Sequence, residues 1–246
     1  MKGIAVILAA AGGSTRFNHP VEKKPFIKLG SKAVWLHSAE RLLRRPEVKQ
    51  LIVVIAPGDR DEFLARFGPN VAVLGLDVVE GGNQRSDSVQ RGLEKVSADC
   101  DWVLVHDAAR PCWEDGILDR LIEAAGQHAA IIPTIPVAST LKRSADGKQV
   151  QETVDRSGLY QAQTPQLFQR SVLEQGFAQR GESQPTDESQ MLEQQGHPIA
   201  MVAGSPLNIK LTRRADLALA KACLEALPKP RFDARPHPFS DDTLFR

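Results

Sequence analysis

Residues 4–14 read IAVILAAAGGS, and this stretch decides the fold. Residues 4–8 are aliphatic without interruption, which predicts a strand that is buried on both faces of a sheet. Alanines and glycines follow directly, so the strand ends in a loop of small residues. A buried strand of this kind is typical of a parallel sheet with helices on both faces.

Strand and helix patterns then alternate along the chain. Apolar residues recur at helical spacing over 34–43 and precede a second aliphatic strand at 51–55. The alternation continues with predicted helices at 59–67, 86–96 and 117–125, and with predicted strands at 77–79, 102–105 and 130–132. Such alternation implies parallel strands joined by right-handed crossovers, and therefore a three-layer α/β/α sandwich. Ligands of such folds bind beyond the carboxyl ends of the strands, so the loops there are the candidates for function.

The alternation stops between residues 136 and 165. Segments 140–143 and 150–154 flank an Asp-Gly turn, which predicts a hairpin. This β-arm is mostly polar and has little core of its own, so we expect it to rest on a partner and to reach across a homodimer.

The last third of the chain returns to the earlier pattern. It predicts helices at 171–179, 186–194 and 214–227 and a strand at 199–202. Four prolines follow residue 227 and forbid continuation of the last helix. We therefore predict a single domain over residues 1–227, with the β-arm at roughly 136–165, and a proline-rich tail over 228–246.

The composition excludes several classes of protein. Apolar residues make up 42% of the chain, which is enough to bury a sizeable core and excludes disorder throughout. The net charge of +1 gives no overall field for nucleic acid or a membrane, so anion binding must come from locally placed Arg and Lys. Three cysteines without a CxxC spacing indicate a reducing compartment. We expect a cytoplasmic protein, because no apolar run is long enough for a membrane span or a secretory signal.

The loop after the first strand is the strongest candidate for a phosphate site. Its small residues would let the backbone N–H groups approach a phosphate chain closely. These residues are Ala10, Ala11, Gly12 and Gly13. Arg16 and Lys24 would add positive charge beside it. An ordinary strand-to-helix turn with solvated charges is the alternative. The loop has neither the Gly-Lys-Ser/Thr ending of a P-loop nor G-x-G-x-x-G, which weakens a dinucleotide-binding interpretation.

A second candidate follows the predicted strand at 102–105 and reads HDAARP over residues 106–111. Asp107 could hold Mg²⁺, which prefers carboxylates and substrate phosphates as ligands, and Arg110 would then face a second phosphate. Ala108 is a candidate nucleotide contact in the same loop. Alternatively, Asp107 caps the following turn and pairs with Arg110. We interpret His106 as structural.

A third candidate reads GGNQRSDS over residues 81–88, again between a strand and a helix. Gly82 permits close approach of a base, and Asn83 and Ser88 offer hydrogen bonds that could read a pyrimidine edge. Ser86 or Asp87 is also a plausible N-cap of the following helix, which is compatible with binding.

Together these segments resemble the 2-C-methyl-D-erythritol 4-phosphate cytidylyltransferases of the non-mevalonate isoprenoid pathway. Further segments that resemble the same family follow in the same order, TVDR at 153–156, QTPQ at 163–166, TDE at 186–188 and NIKLT at 208–212. The likeness therefore spans roughly residues 4–227.

The resemblance implies a Rossmann-like nucleotidyltransferase fold, with a mostly parallel sheet in the three-layer sandwich and a protruding β-arm. It also implies a homodimer with interlocked arms, CTP as donor, and a divalent metal such as Mg²⁺ as cofactor. Arg16 and Lys24 would be catalytic at the triphosphate, and Asp107 would lie at the metal and beside the acceptor. The acceptor's phosphate would be bound by Arg110, Arg156, Thr164 and Lys210.

The chain departs from the family pattern at several positions. Thr15 stands where the family commonly has a second basic residue, and one extra residue before Lys-Pro-Phe makes Lys23 a rival to Lys24. Asn83 replaces a usual acid in the base-binding loop, and Leu207 replaces one before Asn-Ile-Lys. These changes affect fine substrate contacts more than the reaction class.

The resemblance implies transfer of CMP from CTP to 2-C-methyl-D-erythritol 4-phosphate, giving 4-diphosphocytidyl-2-C-methyl-D-erythritol and pyrophosphate. The alternatives are a ribitol-5-phosphate cytidylyltransferase of the same fold and a non-catalytic nucleotide-binding module. An NAD-dependent dehydrogenase is a remote alternative, because its glycine fingerprint is missing.

Overall fold

The structure is a computed structural model, and it describes residues 1–12 and 26–228. Its strands are β1 Ile4–Ala9, β2 Lys28–Leu29, β3 Lys32–Ala33, β4 Val48–Ile55, β5 Asp77–Glu80, β6 Trp102–Asp107, β7 Ala130–Pro136, β8 Leu141–Arg143, β9 Glu152–Val154, β10 Tyr160–Ala162, β11 Gln166–Gln169 and β12 Ala200–Ala203. Its helices are α1 Val34–Leu43, α2 Arg60–Leu74, α3 Arg85–Leu93, α4 Asp115–Ala124, α5 Arg170–Gln179, α6 Glu188–Gln194 and α7 Asp216–Ala226.

The aliphatic run at 4–8 forms β1 at the centre of the main sheet. The strand order is β10-β7-β11-β6-β1-β4-β5, and β12 pairs with β7 outside this path. β1 lies between β4 and β6 and is parallel to both. All five residues of the run are 0% exposed, as expected for a strand covered on both faces. The prediction of a mostly parallel sheet is confirmed.

Helices cover both faces of this sheet. Successive side chains of a strand point to opposite faces, so β1 contributes to two separate hydrophobic clusters. Val6 and Leu8 pack in the cluster that contains residues of α1, α2 and α4. Ala5 and Ile7 pack in the cluster that contains residues of α3, α5 and α6. The three-layer sandwich predicted from the sequence is therefore confirmed.

Two strands of the main sheet, β10 and β11, were not predicted. β11 lies between β6 and β7 and runs antiparallel to both. Its residues Leu167 and Phe168 are both fully buried, so no polar and apolar alternation marks it as a strand. An antiparallel strand begins at the edge where its parallel neighbours end, and Gln166 lies opposite Val105 near the end of β6. Residues 163–165 are thereby brought to the ligand edge of the sheet.

The hairpin predicted within the β-arm is confirmed. β8 and β9 pair antiparallel, and Gly147 in the turn between them has a φ of 70°, a conformation that favours glycine. The arm exposes large apolar side chains, with Val150 63% and Tyr160 51% exposed.

The predicted helix at 59–67 is longer in the structure and continues to residue 74 as α2, with Pro69 inside it. The predicted helix stops two residues short of this proline, which removes a backbone hydrogen bond from the helix interior. Val71 and Leu74 pack against the first hydrophobic cluster, and this burial offsets the cost of the proline.

Four aromatic rings pack together between α1 and α2. The rings of Trp35 and Phe63 lie 5.3 Å apart, and Phe26 lies 5.4 Å from Phe63 and 5.7 Å from Phe67. Phe26 is 3% exposed and is the residue at which the described chain resumes. The cluster therefore anchors the chain directly after the segment that carries Lys24.

Among the helices of the described ranges, none is both long enough and apolar enough to cross a bilayer. The carbonyl oxygen of Pro228 accepts a hydrogen bond from Arg41 Nη2 at 3.1 Å. The rest of the predicted tail lies outside the described residues.

Candidate active site

The three candidate loops leave the sheet along one edge. In the parallel register Ala9 lies opposite both Val54 and Asp107, so β1, β4 and β6 end together. β5 ends one strand further along, where Glu80 lies opposite Ile55. The loops that begin at residues 10, 81 and 108 are therefore neighbours at the carboxyl edge, as a parallel sheet requires.

The first loop is described only in part. The N–H of Ala10 donates to the carbonyl oxygen of Val54 at 2.8 Å, so this amide belongs to the sheet rather than to a phosphate site. Ala11 is half-buried and Gly12 is exposed at the edge. The predicted residues Gly13, Arg16 and Lys24, like Thr15 and Lys23, lie outside the described residues, and their roles stay predictions.

The loop at 81–84 is shaped from within by Ser88. Its buried hydroxyl accepts a hydrogen bond from the N–H of Gly82 at 3.2 Å and donates to the carbonyl oxygen of Gln84 at 3.0 Å. Asp87 steadies the same loop, because its Oδ2 accepts from the N–H of Gln84 at 3.3 Å. Asn83 is exposed and remains able to meet a ligand. A base contact by Gly82, Asn83 or Ser88 stays a prediction.

Asp107 is the last residue of β6 and lies between two cations. Its Oδ2 accepts from Lys210 Nζ at 2.6 Å, and its Oδ1 accepts from Arg85 Nε at 3.2 Å. Burial would raise the pKa of this carboxyl, but Arg85 and Lys210 outweigh burial and hold the pKa of Asp107 well below its usual range. Asp107 is therefore ionised at neutral pH.

Arg110 places a further cation near Asp107. Its Nη1 donates to the carbonyl oxygen of Asn208 at 2.8 Å. Its Nε is buried and has no hydrogen-bond partner within residues 1–12 and 26–228. Burial lowers the pKa of Arg110, although nearby Asp107 opposes this effect. A buried guanidinium donor without a partner is costly unless a ligand supplies an acceptor, and an anionic oxygen is the acceptor it prefers.

Thr164 and His106 tie this loop together. The Thr164 hydroxyl accepts from the N–H of Asp107 at 3.0 Å and lies 3.1 Å from His106 Nδ1. The Nε2 of His106 lies 3.1 Å from the carbonyl oxygen of Arg110, which can only accept. We therefore assign the proton to Nε2, which leaves Nδ1 to accept from Thr164. Burial lowers the pKa of His106 to about 4, so the ring is neutral and structural, as predicted.

Lys210 reaches the cluster through the segment that follows β12. The N–H of Leu211 donates to the carbonyl oxygen of Ala109 at 2.8 Å. The Asn208 side chain donates to the carbonyl oxygen of Thr164 at 2.8 Å. The buried Ala108 lies at the base of the same loop. The structure thus brings together Asp107, Arg110, Thr164 and Lys210, which are far apart in the sequence.

Arg156 is the exception among the predicted acceptor residues. It lies in the exposed β-arm, where its Nη1 donates to the carbonyl oxygen of Ala138. Its bond is thus to the arm and not to the cluster around Asp107.

Two charged residues of the site were given no role from the sequence. Arg85 Nη1 donates to both carboxylate oxygens of Glu188, at 2.8 and 2.9 Å. Arg85 begins α3 and Glu188 begins α6, and both helices start at the edge where ligands bind. The one available signal in the sequence was that Arg85 directly follows a candidate loop at the start of a helix. Nothing in the sequence indicates that it pairs with a residue 103 positions away.

A sequence model of the 2-C-methyl-D-erythritol 4-phosphate cytidylyltransferase family, IspD, matches residues 4–226. The chain belongs to this family.

Relatives in the cytidylyltransferase family are of two lengths. The 2-C-methyl-D-erythritol 4-phosphate cytidylyltransferase of Tolumonas auensis is 39% identical over 232 residues, which cover 92% of this chain and 98% of the relative. The bifunctional enzyme IspD/IspF of Desulfotalea psychrophila is 39% identical over 230 residues, and the chain spans only 59% of its length. A crystal structure of the cytidylyltransferase from Thermus thermophilus matches with a TM-score of 0.74 and 31% identity, covering 91% of this chain and 99% of that one.

The cytidylyltransferase resemblance implies a divalent metal, for which Asp107 is the predicted ligand. Within the described residues no three His, Cys, Asp or Glu side chains are grouped so that they could hold a metal. Both oxygens of Asp107 already accept from cations. Each oxygen accepts from one cation and keeps a further lone pair, so Asp107 could also meet a metal that is held mainly by substrate phosphates. Asp107 as a metal ligand stays a prediction.

Proposed function

We propose that this chain transfers CMP from CTP to 2-C-methyl-D-erythritol 4-phosphate and releases pyrophosphate. The observation that carries the proposal is the pair of cations at the carboxyl edge. They are the Lys210 ammonium and the buried Nε of Arg110, which has no hydrogen-bond partner among the described residues. These two donors suit the phosphate of a small acceptor. Family membership and relatives of the same length that are named for this reaction support the choice of substrates.

In the proposed reaction, a phosphate oxygen of the acceptor attacks the α-phosphorus of CTP in line, and pyrophosphate leaves. No general base is needed, because the phosphate is already ionised at neutral pH. His106 is not proposed as one, since it is fully buried and its Nε2 proton is bonded to Arg110. The chain's own contribution is positioning and charge stabilisation, with Arg110 and Lys210 on the acceptor and Arg16 and Lys24 on the triphosphate.

We retain a divalent metal in the proposal as a counter-ion of the CTP phosphates. Mg²⁺ keeps several waters and often binds mainly through substrate phosphates, so a full set of protein ligands is not required. It would neutralise charge on the triphosphate.

We also propose a homodimer joined through the β-arm. Val150 and Tyr160 expose apolar surface on the arm, which a second copy could cover. Arg156 lies on this arm rather than in the cluster around Asp107, so it would serve the acceptor site of the partner copy.

The three cysteines are free and buried, which supports a cytoplasmic location.

Mixing two inactive variants tests the dimer. Arg156→Met and Lys210→Met copies, unfolded and refolded together, should regain about a quarter of the wild-type activity, because each mixed dimer contains one intact site. Each variant refolded alone is the control. No regain of activity, or a monomeric mass in analytical ultracentrifugation, would contradict the dimer.

A pyrophosphate-release assay tests the function. CTP, Mg²⁺ and 2-C-methyl-D-erythritol 4-phosphate should release pyrophosphate, while ATP, GTP and UTP should be poor donors. Ribitol 5-phosphate is the matched alternative acceptor, and preference for it would replace the proposed substrate. Binding of CTP without release on any polyol phosphate would instead indicate a non-catalytic nucleotide-binding module.

A further inference from the structure

Four side chains of alternating charge form one continuous ion network at the acceptor site. Glu188 accepts from Arg85 Nη1 at 2.8 and 2.9 Å. Arg85 Nε donates to Asp107 Oδ1 at 3.2 Å. The other oxygen of Asp107 accepts from Lys210 at 2.6 Å. The network begins in the core and ends at a side chain that is 42% exposed.

Glu188 is the buried end of this network. The residue is 1% exposed, and both of its carboxylate oxygens bind Arg85. Burial raises the pKa of Glu188, and the Arg85 cation opposes this rise. The Glu188 charge therefore carries a desolvation cost, which its pairing with Arg85 offsets. Buried ion pairs are often no more stabilising than apolar residues of the same volume. The pair therefore calls for a reason other than stability.

The geometry supplies that reason. A carboxylate at the end of a strand can rotate about its side-chain bonds, and Arg85 fixes one oxygen of Asp107 so that the other faces Lys210. Lysine has a flexible stem and a compact charge, so its ammonium needs an external partner to stay in place. Lys210 donates to Asp107, and Asp107 is itself held by Arg85.

We propose that Glu188 and Arg85 are positioning residues that place the Lys210 ammonium for the phosphate of the acceptor. They act through Asp107, which transmits the position of the buried pair to the exposed end of the network. This inference rests on the proposed function, since it assigns these residues to the acceptor half of the same site.

The Glu188→Gln substitution tests the network with the least change in shape. A glutamine side chain has only one acceptor oxygen. Its NH₂ group would face the N–H groups of Arg85 Nη1, and two donors cannot form a hydrogen bond with each other. Arg85 should then turn and release Asp107 and Lys210. Because a displacement of about 1 Å at a reacting group can cost about 100-fold, we expect kcat/KM for the acceptor to fall by tenfold or more. The KM for CTP should stay within about twofold, because the loop at 81–84 is held by Ser88 and Asp87 rather than by Arg85.

Two variants separate positioning from a general effect on the fold. Glu193→Gln removes an exposed charge from the same helix and should keep wild-type kinetics. Arg85→Met combined with Glu188→Leu replaces this ion pair with apolar side chains while Asp107 keeps Lys210 as its partner, so it should fold even if Glu188→Gln does not. The folded double variant should still lose at least tenfold in kcat/KM for the acceptor. Wild-type kinetics in either folded Glu188 variant, or an equal loss in Glu193→Gln, would overturn the proposal.

A measurement without substrates distinguishes failure of this inference from failure of the proposed function. The Nε–H group of Arg85 can be followed by NMR in protein labelled with ¹⁵N-arginine, and Arg85→Lys assigns its signal. In wild type this proton should be protected from exchange with water by Asp107, and Glu188→Gln should make exchange about tenfold faster. Unchanged exchange in Glu188→Gln would overturn the network. A wild type that releases no pyrophosphate but shows the exchange difference would instead remove the proposed function.

Discussion

The Gly82→Ala substitution should impair use of CTP while the fold persists. A Cβ atom built on Gly82 would lie 2.4 Å from the Cβ of Asp87, whereas ordinary contacts begin near 3.4 Å. The loop must therefore move by about 1 Å, because Asp87 is held by Arg180 Nη2 at 2.8 Å and cannot yield easily. A displacement of this size at a bound substrate can cost about 100-fold, or about 3 kcal/mol of transition-state stabilisation.

The measurement is pyrophosphate release with varied CTP at a fixed, saturating acceptor concentration. Gly68→Ala is the matched control, because its new methyl group meets nothing within 4 Å among the described residues and lies in α2 away from the loop. That control should keep normal kinetics. A folded Gly82→Ala protein with normal kcat/KM for CTP would remove this loop from the nucleotide site. A loss confined to the acceptor would refute the reasoning in the same way.

Three further predictions concern the acceptor site and the core. Lys210→Met should lower kcat/KM for the acceptor by about 10²–10³, because it removes a preorganised cation; the same pyrophosphate assay measures it, and near-normal turnover would contradict it. His106 has a pKa near 6.5 in the unfolded chain and about 4 in the folded protein, so the unfolded state binds the proton first as pH falls. Protonation linked to His106 should therefore remove about 3 kcal/mol from the free energy of unfolding between pH 6.5 and 4, so His106→Gln should lose about that much less than the wild type in denaturant titrations. Equal losses would refute the buried neutral ring. Phe63→Ala should lower the free energy of unfolding by about 3–5 kcal/mol, because Phe63 is 1% exposed within the aromatic cluster. A loss below about 1 kcal/mol in urea titrations would contradict that packing.

Local patterns of apolar residues were sufficient to predict the parallel strands of the sheet. The run at 4–8 and the aliphatic part of β4 are apolar at successive positions, because a strand covered on both faces has no polar side. The edges of elements were harder to predict. β4 begins at Val48 and not at residue 51, since Lys49 and Gln50 hide its buried first residue in a polar stretch.

Only part of the acceptor site could be predicted from patterns in the sequence. The residues after β6 were identifiable, because the end of a parallel strand is a known place for ligands. Thr164 and Lys210 were assigned only through family resemblance, since neither follows a predicted parallel strand directly. Arg85 and Glu188 lie 103 positions apart, and their contact depends on how two helices start at one edge.

The sequence by itself determined the layered α/β architecture, the hairpin of the β-arm and the loops on which chemistry is expected. These features follow from side-chain periodicity and glycine positions, which act over a few neighbouring residues. Only the tertiary structure decided the insertion of β11 between β6 and β7, and with it the arrival of Thr164 beside Asp107. It also decided the pairing of Asp107 with Arg85 and Lys210. Burial and charge between segments distant in sequence control these contacts, and no local pattern records them.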